Sequence, residues 1–169
     1  AADLLAPSTD GADGDREYWS AQAQRVLRCF LHAASLGDRP VRDVLTWVAN
    51  PDGAAGDVRR LLRKSPVPAV EDDVTQFLTT NDRTRSSICS SIMPALEWLS
   101  DPGAATVAHG AAFDVERFLE ERGTVYLLGE DESTLTPLVT AFTGHIAREA
   151  RRIAAEQRGG RLDPPLTIV

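Results

Sequence analysis

The chain of 169 residues has little of what membranes, metal ions and disulfides require. It contains no apolar run of about 18 residues or more, so no transmembrane helix is predicted. Its two cysteines, Cys29 and Cys89, lie far apart, and its three histidines lack the spacing of metal ligands. We therefore expect neither a metal site nor a disulfide. Both cysteines fall in helical patterns, where we interpret them as small buried hydrophobes in a reducing compartment.

An excess of basic side chains is also lacking. The 25 acidic and 18 basic residues give a net charge of −7. Because nucleic-acid affinity derives from phosphate neutralisation, an acidic chain is a poor DNA binder on its own, and its surface fits protein partners better. The sequence begins with neither an initiator methionine nor a secretory signal, so we expect both chain ends to be boundaries within a longer protein.

Apolar residues at a spacing of three and four predict helices through residues 1–123. In the first helix, Trp19, Val26 and Phe30 belong to a stripe that should face a core. Pro94 falls inside the fifth pattern and is expected to kink or divide it, and Asp114 is expected to cap a short helix. The predicted helices lie at about 16–36, 40–50, 54–64, 70–80 and 82–100, with short ones near 104–108 and after residue 114.

The pattern changes after Gly123. Residues 124–128 form a continuous apolar run that is typical of a strand buried on both faces of a parallel sheet. A long helix from residue 136 to about 157 follows, and residues 166–169 are again typical of a strand, which gives a right-handed βαβ unit. Two parallel strands alone leave both edges open, so we expect further strands from elsewhere in the protein or from another copy of the chain. The expected fold is mainly α, with a multi-helix all-α domain followed by this βαβ unit.

Six segments occur in order along the chain. They read DREYWSAQAQRVLRCFLHAASLG, VRDVLTWV, ALEWLSDP, FDVERFLEERGTVYLLG, STLTPLVTAFTGHIAREARRIAAEQ and RLDPPLTIV. Together these segments resemble the TraG/TraD-type coupling proteins of type IV secretion and conjugation. The resemblance extends over nearly the whole chain from about residue 15, and GTVYLLG with LDPPLTIV is its most specific pair.

The resemblance implies a hexameric P-loop ATPase that links a relaxase–DNA substrate to a secretion channel. Such proteins combine a membrane anchor, a RecA-like nucleotide-binding domain and an inserted all-α domain that faces the cytosol. By this likeness, residues 1–123 are the all-α substrate-recognition domain, and residues 124–169 belong to the nucleotide-binding domain up to its Walker B strand. The implied partners are relaxosome or secreted substrate proteins. The whole homo-hexamer would handle DNA at the cytoplasmic face of the membrane, with no membrane contact by these residues.

The likeness assigns no catalytic, cofactor-binding or metal-binding residue to this chain. No GxxxxGK motif followed by serine or threonine occurs in the sequence, so we expect no phosphate cradle. The acidic pair that ends a Walker B strand and holds Mg²⁺ would follow Val169. We therefore expect ATP and Mg²⁺ to belong to the whole ATPase, with no cofactor in these residues and no ATP hydrolysis by them alone.

A cluster of cations is the first candidate binding site. Arg59, Arg60, Arg63 and Lys64 lie opposite the predicted apolar face of the third helix. They would meet DNA phosphates or an acidic partner there. The alternative interpretation is a solvated helix face without a partner.

A cluster of acids is the second candidate. Glu130, Asp131 and Glu132 follow the first predicted strand, at the edge of the sheet where α/β proteins bind ligands. This position favours a loop that faces a nucleotide or a neighbouring subunit. The alternative is that the acids are simply favoured by the positive N-terminal end of the next helix.

Two further functions stay open at this point. One is a stand-alone helical adaptor or protein-interaction domain, which would either complete its sheet within the chain or have no sheet. The other is the helical insert of a different RecA-like DNA translocase, which shares the βαβ pattern and differs in what its helices recognise.

Overall fold

The computed structural model describes residues 14–107, 113–127 and 134–168 of the chain. Within these ranges the protein is mainly helical, as expected, and each helix lies within about three residues of its predicted bounds. The elements are α1 (Gly14–Leu36), α2 (Val41–Ala49), α3 (Pro51–Leu62), α4 (Ala69–Thr79), α5 (Asp82–Ile92), the 3-10 helix η1 (Met93–Ser100), α6 (Pro102–Val107), α7 (Val115–Glu120) and α8 (Thr136–Glu156).

Helix α1 is the centre of the bundle, because α2, α3, α4 and α5 all pack against it. Its apolar stripe is buried, with Leu27 fully inaccessible to solvent. The Phe30 ring makes edge-to-face contacts with Trp47 of α2 and Phe77 of α4, at centroid distances of 6.1 and 6.0 Å. Such ring pairs stabilise a core beyond the area that they bury, so the Phe30 side chain holds three helices together.

Short polar side chains fix where helices begin. Asn50 Oδ1 accepts a hydrogen bond of 3.1 Å from the Gly53 N–H, and Pro51 occupies the first position of α3. As predicted, Asp114 caps a helix: its Oδ1 accepts a hydrogen bond of 3.0 Å from the Arg117 N–H at the start of α7. Each cap satisfies a backbone donor that the first helical turn leaves without a partner.

The prediction that Pro94 divides the fifth helix is confirmed. Helix α5 ends at Ile92, and the chain continues as η1 with 3-10 geometry. Proline lacks a backbone N–H, and its ring clashes with the carbonyl of the preceding turn, so an α-helix cannot continue unchanged through it. Leu96 and Leu99 of η1 are nevertheless buried, so the chain stays on the core after the break.

The βαβ prediction is wrong for the residues that the structure describes. Helix α8 is present, but residues 124–127 and 166–168 form no strand. Tyr126 is 81 % exposed and Ile168 58 % exposed, so these segments are not covered as strands of a parallel sheet would be. The physical reason is that strand pairing is not local: a run of apolar residues favours a strand, yet two strands without further neighbours have little stability.

A second apolar cluster joins α7, α8 and the C-terminal segment. Its buried members are Val115 and Leu119 of α7 with Ile146 and Ala150 of α8, and the partly buried side chains around them are Phe118, Phe142, Ile153, Leu162 and Leu166. Leu138 of α8 packs instead against the main core, and α8 also contacts η1. The division into two domains at residue 123 stays a prediction. No helix in the described ranges is both long enough and apolar enough to cross a bilayer.

Candidate partner-binding site

The predicted cationic cluster lies on the second half of α3 and the turn that leads into α4. Val58, Leu61 and Leu62 are all at most 2 % exposed and hold this half of α3 on the core. Arg60, Arg63 and Lys64 are exposed on the other side, as the sequence predicts. We refer to Arg59, Arg60, Arg63, Lys64 and the turn at residues 65–68 as the α3–α4 corner.

The three exposed cations of the corner differ in how they are paired. Arg60 forms an ion pair with Asp57, one turn earlier on α3. Arg63 Nε lies 3.4 Å from Glu71 Oε1 of α4, with the arginine side chain 70 % exposed, which is a long and solvated contact that stabilises little. Lys64 makes no ion pair with any residue of the described ranges. The corner therefore has positive charge that the chain itself only partly neutralises.

Arg59 departs from the prediction, because it is half-buried and not fully on the solvated face. Arg59 stands seven residues after Asp52 and four before Arg63, so the three side chains share one side of α3. This side faces α4 and α5, because Arg63 pairs with Glu71 and Asp52 pairs with Arg85. The Nε atom of Arg59 is buried, and no protein group in the described ranges accepts a hydrogen bond from it. A buried donor without an acceptor costs about 1–3 kcal/mol, and because this atom is not exposed, a partner could satisfy it only after the Arg59 side chain moves.

The turn of the corner is stiff. Ser65 Oγ accepts a hydrogen bond of 3.1 Å from the Val67 N–H, and His32 Nε2 of α1 lies 2.9 Å from the same oxygen. Val67 stands between Pro66 and Pro68, whose rings restrict the backbone, and its side chain is 50 % exposed. The corner thus exposes the apolar side chain of Val67 beside its cations, on a backbone with little conformational freedom.

The start of α3 is held by Arg85 of α5, which sequence reasoning missed. Its guanidinium is almost completely buried and donates to Asp52 Oδ2 at 3.1 Å, Asp82 Oδ1 at 2.6 Å and the Leu78 carbonyl oxygen at 2.8 Å. The sequence does contain a signal for it. Arg85 stands three and four residues before the buried Ile88 and Cys89, and a cation on an apolar stripe implies buried acceptors.

Glu130, Asp131 and Glu132 lie outside the described residues, so the prediction of a loop that faces a nucleotide or a subunit stays a prediction. Among the described residues, no group of three or more His, Cys, Asp or Glu side chains is arranged to hold a metal ion.

The cysteines are buried, in agreement with their predicted structural role. Burial, together with the nearby Asp73 carboxylate, raises the pKa of the Cys29 thiol from 9.0 to about 11. Burial also raises the pKa of Cys89, against the opposing effect of Arg85. A thiol with a raised pKa is mostly protonated near neutral pH and is a poor nucleophile, so neither side chain is suited to covalent catalysis.

The described residues form a mainly helical structure with a cluster of exposed cations at the α3–α4 corner. The family model described as type IV secretory system conjugative DNA transfer matches residues 3–160. The chain belongs to this family, which agrees with its resemblance to TraG/TraD-type coupling proteins. Neither the curated proteins nor the solved structures gave a match.

Proposed function

We propose that this chain is the substrate-recognition domain of a coupling protein in conjugative DNA transfer, and that it binds relaxosome or secreted substrate proteins. The family match over residues 3–160 supports a role in conjugative DNA transfer. The observation that carries the proposal is the α3–α4 corner, where, among the described residues, the exposed Lys64 lacks an ion pair and the exposed Arg63 makes only a long contact with Glu71. In a chain with a net charge of −7, such a concentration of cations is suited to a specific partner and not to general DNA binding.

In this proposal, the domain selects cargo and other parts of the machinery move it. The sequence contains no GxxxxGK motif followed by serine or threonine, so its residues do not fit the phosphates of ATP in the P-loop manner. ATP and Mg²⁺ would act in the nucleotide-binding domain of the hexameric coupling protein. The recognition domain would work at the cytoplasmic face of the membrane, where it would hold a relaxosome or secreted substrate protein close to the secretion channel.

A binding experiment with purified proteins tests this function. The tagged chain is incubated with the relaxase and its accessory proteins, and separately with single-stranded DNA, at about 150 mM salt, where long-range attraction between exposed charges is largely screened. We expect a relaxosome or secreted substrate protein to be retained, and Lys64→Glu to reduce its retention more than Arg83→Glu, which reverses an exposed charge on α5. Retention of DNA alone, with no protein partner, would overturn the proposal.

A stand-alone helical adaptor is the second candidate. It predicts a chain without an incomplete sheet, and residues 14–107, 113–127 and 134–168 contain no strand. Membership of a conjugative DNA transfer family favours the coupling protein over an unrelated adaptor, and over the insert of a different DNA translocase. Deletion of these residues in the host cell distinguishes the two candidates: loss of a recognition domain abolishes transfer of specific substrates, whereas loss of an unrelated adaptor leaves transfer unchanged.

A further inference from the structure

We infer that the α3–α4 corner binds an extended, acidic segment of a partner protein that carries an apolar side chain between its carboxylates. This inference rests on the proposed recognition function and adds the chemistry of the partner. It draws on three properties of the corner: which cations still need acceptors, how they are spaced along α3, and what the turn at residues 65–68 exposes.

The cations of the corner require carboxylate acceptors. Lys64 is exposed and has no ion pair in the described ranges. The contact of 3.4 Å between Arg63 and Glu71 is long enough for a partner carboxylate to replace it. A carboxylate that reaches this corner therefore gains charge-assisted hydrogen bonds and breaks few existing ones.

The spacing of the cations favours an extended segment. Arg59 and Arg63 are four residues apart, as are Arg60 and Lys64, and four residues advance about 6 Å along a helix. In an extended chain, side chains at alternate positions point to the same face and lie about 6.6 Å apart. Acidic residues at every second position would therefore match either pair of cations, and the intervening side chains would point elsewhere.

The turn supplies the apolar half of the surface. Val67 is 50 % exposed, and Ser65 Oγ together with the flanking prolines fixes the backbone around it. A side chain that is already held in place loses little conformational freedom on binding, so contact with a partner's leucine or valine costs less ordering than contact with a mobile loop. An acidic segment with one apolar side chain would use both the cations and Val67.

A nucleic acid fits the corner less well than a peptide. Asp57 and Glu71 lie among the four cations and leave an excess of two positive charges, whereas a phosphate backbone presents closely and evenly spaced negative charges that these acids repel. The corner also contains no aromatic residue on which unpaired bases could stack. A peptide needs no aromatic residue for stacking, and the neutral side chains between its carboxylates interrupt its negative charge, whereas nothing interrupts that of a phosphate backbone.

Fluorescence anisotropy with a defined probe tests the inference on the full chain. The probe is a short labelled peptide in which glutamate alternates with threonine and one central glutamate is replaced by leucine, so that the leucine lies on the same face as the carboxylates. Its controls are the same peptide with glutamine in place of glutamate, and a labelled oligothymidine. We expect the glutamate peptide to bind at about 150 mM salt and the two controls to bind at least about 10-fold more weakly.

Variants then locate the peptide on the corner. We expect Lys64→Gln to weaken binding about 3- to 10-fold and Arg59→Gln combined with Lys64→Gln to weaken it more, since each loses a charge-assisted contact. The matched double variant, Arg42→Gln with Arg83→Gln, removes two exposed charges from α2 and α5 and should change binding less than about 2-fold. Circular dichroism checks that each variant is folded. If the change at the half-buried Arg59 disturbs the fold, the peptide affinity of Lys64→Gln alone tests the inference.

The contribution of Val67 is measured separately. Val67→Ser should weaken the peptide that contains leucine about 5-fold and leave unchanged the same peptide with threonine in place of leucine, because only the first has an apolar contact to lose. Equal binding of the glutamine peptide, tighter binding of oligothymidine, or equal losses in the corner and matched variants would each overturn the inference.

The outcome is separable from that of the proposed function. If the chain retains a relaxosome or secreted substrate protein and Lys64→Gln has no effect on it, recognition stands and the corner is not its site. If the acidic peptide binds at the corner but no such protein is retained, the chemistry of the corner stands and the proposed function fails.

Discussion

Arg85 of α5 donates a hydrogen bond of 3.1 Å to Asp52 of α3, and this contact fixes the helix that carries the α3–α4 corner. The same guanidinium reaches the last turn of α4 through the Leu78 carbonyl oxygen, at 2.8 Å. One buried cation therefore joins α3, α4 and α5. Because the corner is formed by the end of α3 and the beginning of α4, its shape depends on a residue at the opposite ends of those helices.

Replacing Arg85 with alanine should lower the free energy of unfolding by about 1–3 kcal/mol, since two backbone carbonyls lose a donor, whereas the exposed carboxylates of Asp52 and Asp82 regain water. Urea unfolding followed by circular dichroism measures the change. Arg83→Ala, which removes an exposed arginine two residues earlier, is the matched control and should change stability by less than about 0.5 kcal/mol. Similar unfolding midpoints for the two variants would contradict the assigned role of Arg85.

Two glycines should respond in opposite directions to alanine. At Gly37, a Cβ atom would lie 2.7 Å from Leu61 Cδ2 in the core, so Gly37→Ala should destabilise the protein by about 1–3 kcal/mol. At Gly56, inside α3, a Cβ atom meets nothing within 4 Å, so Gly56→Ala should stabilise it by about 0.5–1 kcal/mol. Thermal unfolding of both variants tests this, and a stabilising effect at Gly37 would show that α1 and α3 are less closely packed at this point.

The alkaline limit of stability should depend on Cys29. Its pKa is raised from 9.0 to about 11 in the folded protein, so the buried thiol stays protonated at pH values where the unfolded chain already loses its proton. The stability associated with this thiol is complete below pH 9 and is lost as the pH rises through about 11. Unfolding at a series of pH values should give a shallower alkaline decline for Cys29→Ala, and an unchanged slope would be inconsistent with the raised pKa.

The hydroxyl of Ser65 should hold the turn of the corner in place. Ser65→Ala removes the acceptor for the Val67 N–H and the partner of His32, so the Val67 amide should exchange its hydrogen faster and stability should fall by about 1 kcal/mol. Hydrogen exchange measured by NMR reports the first effect directly. Ser86→Ala changes an exposed serine on α5 and should leave the exchange of Val67 unaltered, so equal effects of both substitutions would exclude a local role for Ser65.

Local interactions made most of the helical fold predictable. The spacing of apolar residues, the cap at Asp114 and the break at Pro94 all act within a few residues, so the sequence displays them directly. The two strands were wrongly predicted because pairing depends on other strands, which no local pattern supplies. For the same reason the corner was only partly predicted: the exposure of Lys64 follows from helical spacing, whereas the burial of Arg59 depends on neighbouring helices.

The tryptophans are distributed unevenly between the two apolar clusters. Trp47 and Trp98 are members of the main core, and Trp19 packs against it, whereas the cluster of α7 and α8 contains none. The chain has three tryptophans in all, so its intrinsic emission reports on the main core. Melting of the smaller cluster would be silent in tryptophan fluorescence, so a single smooth fluorescence transition would not demonstrate two-state unfolding of this protein.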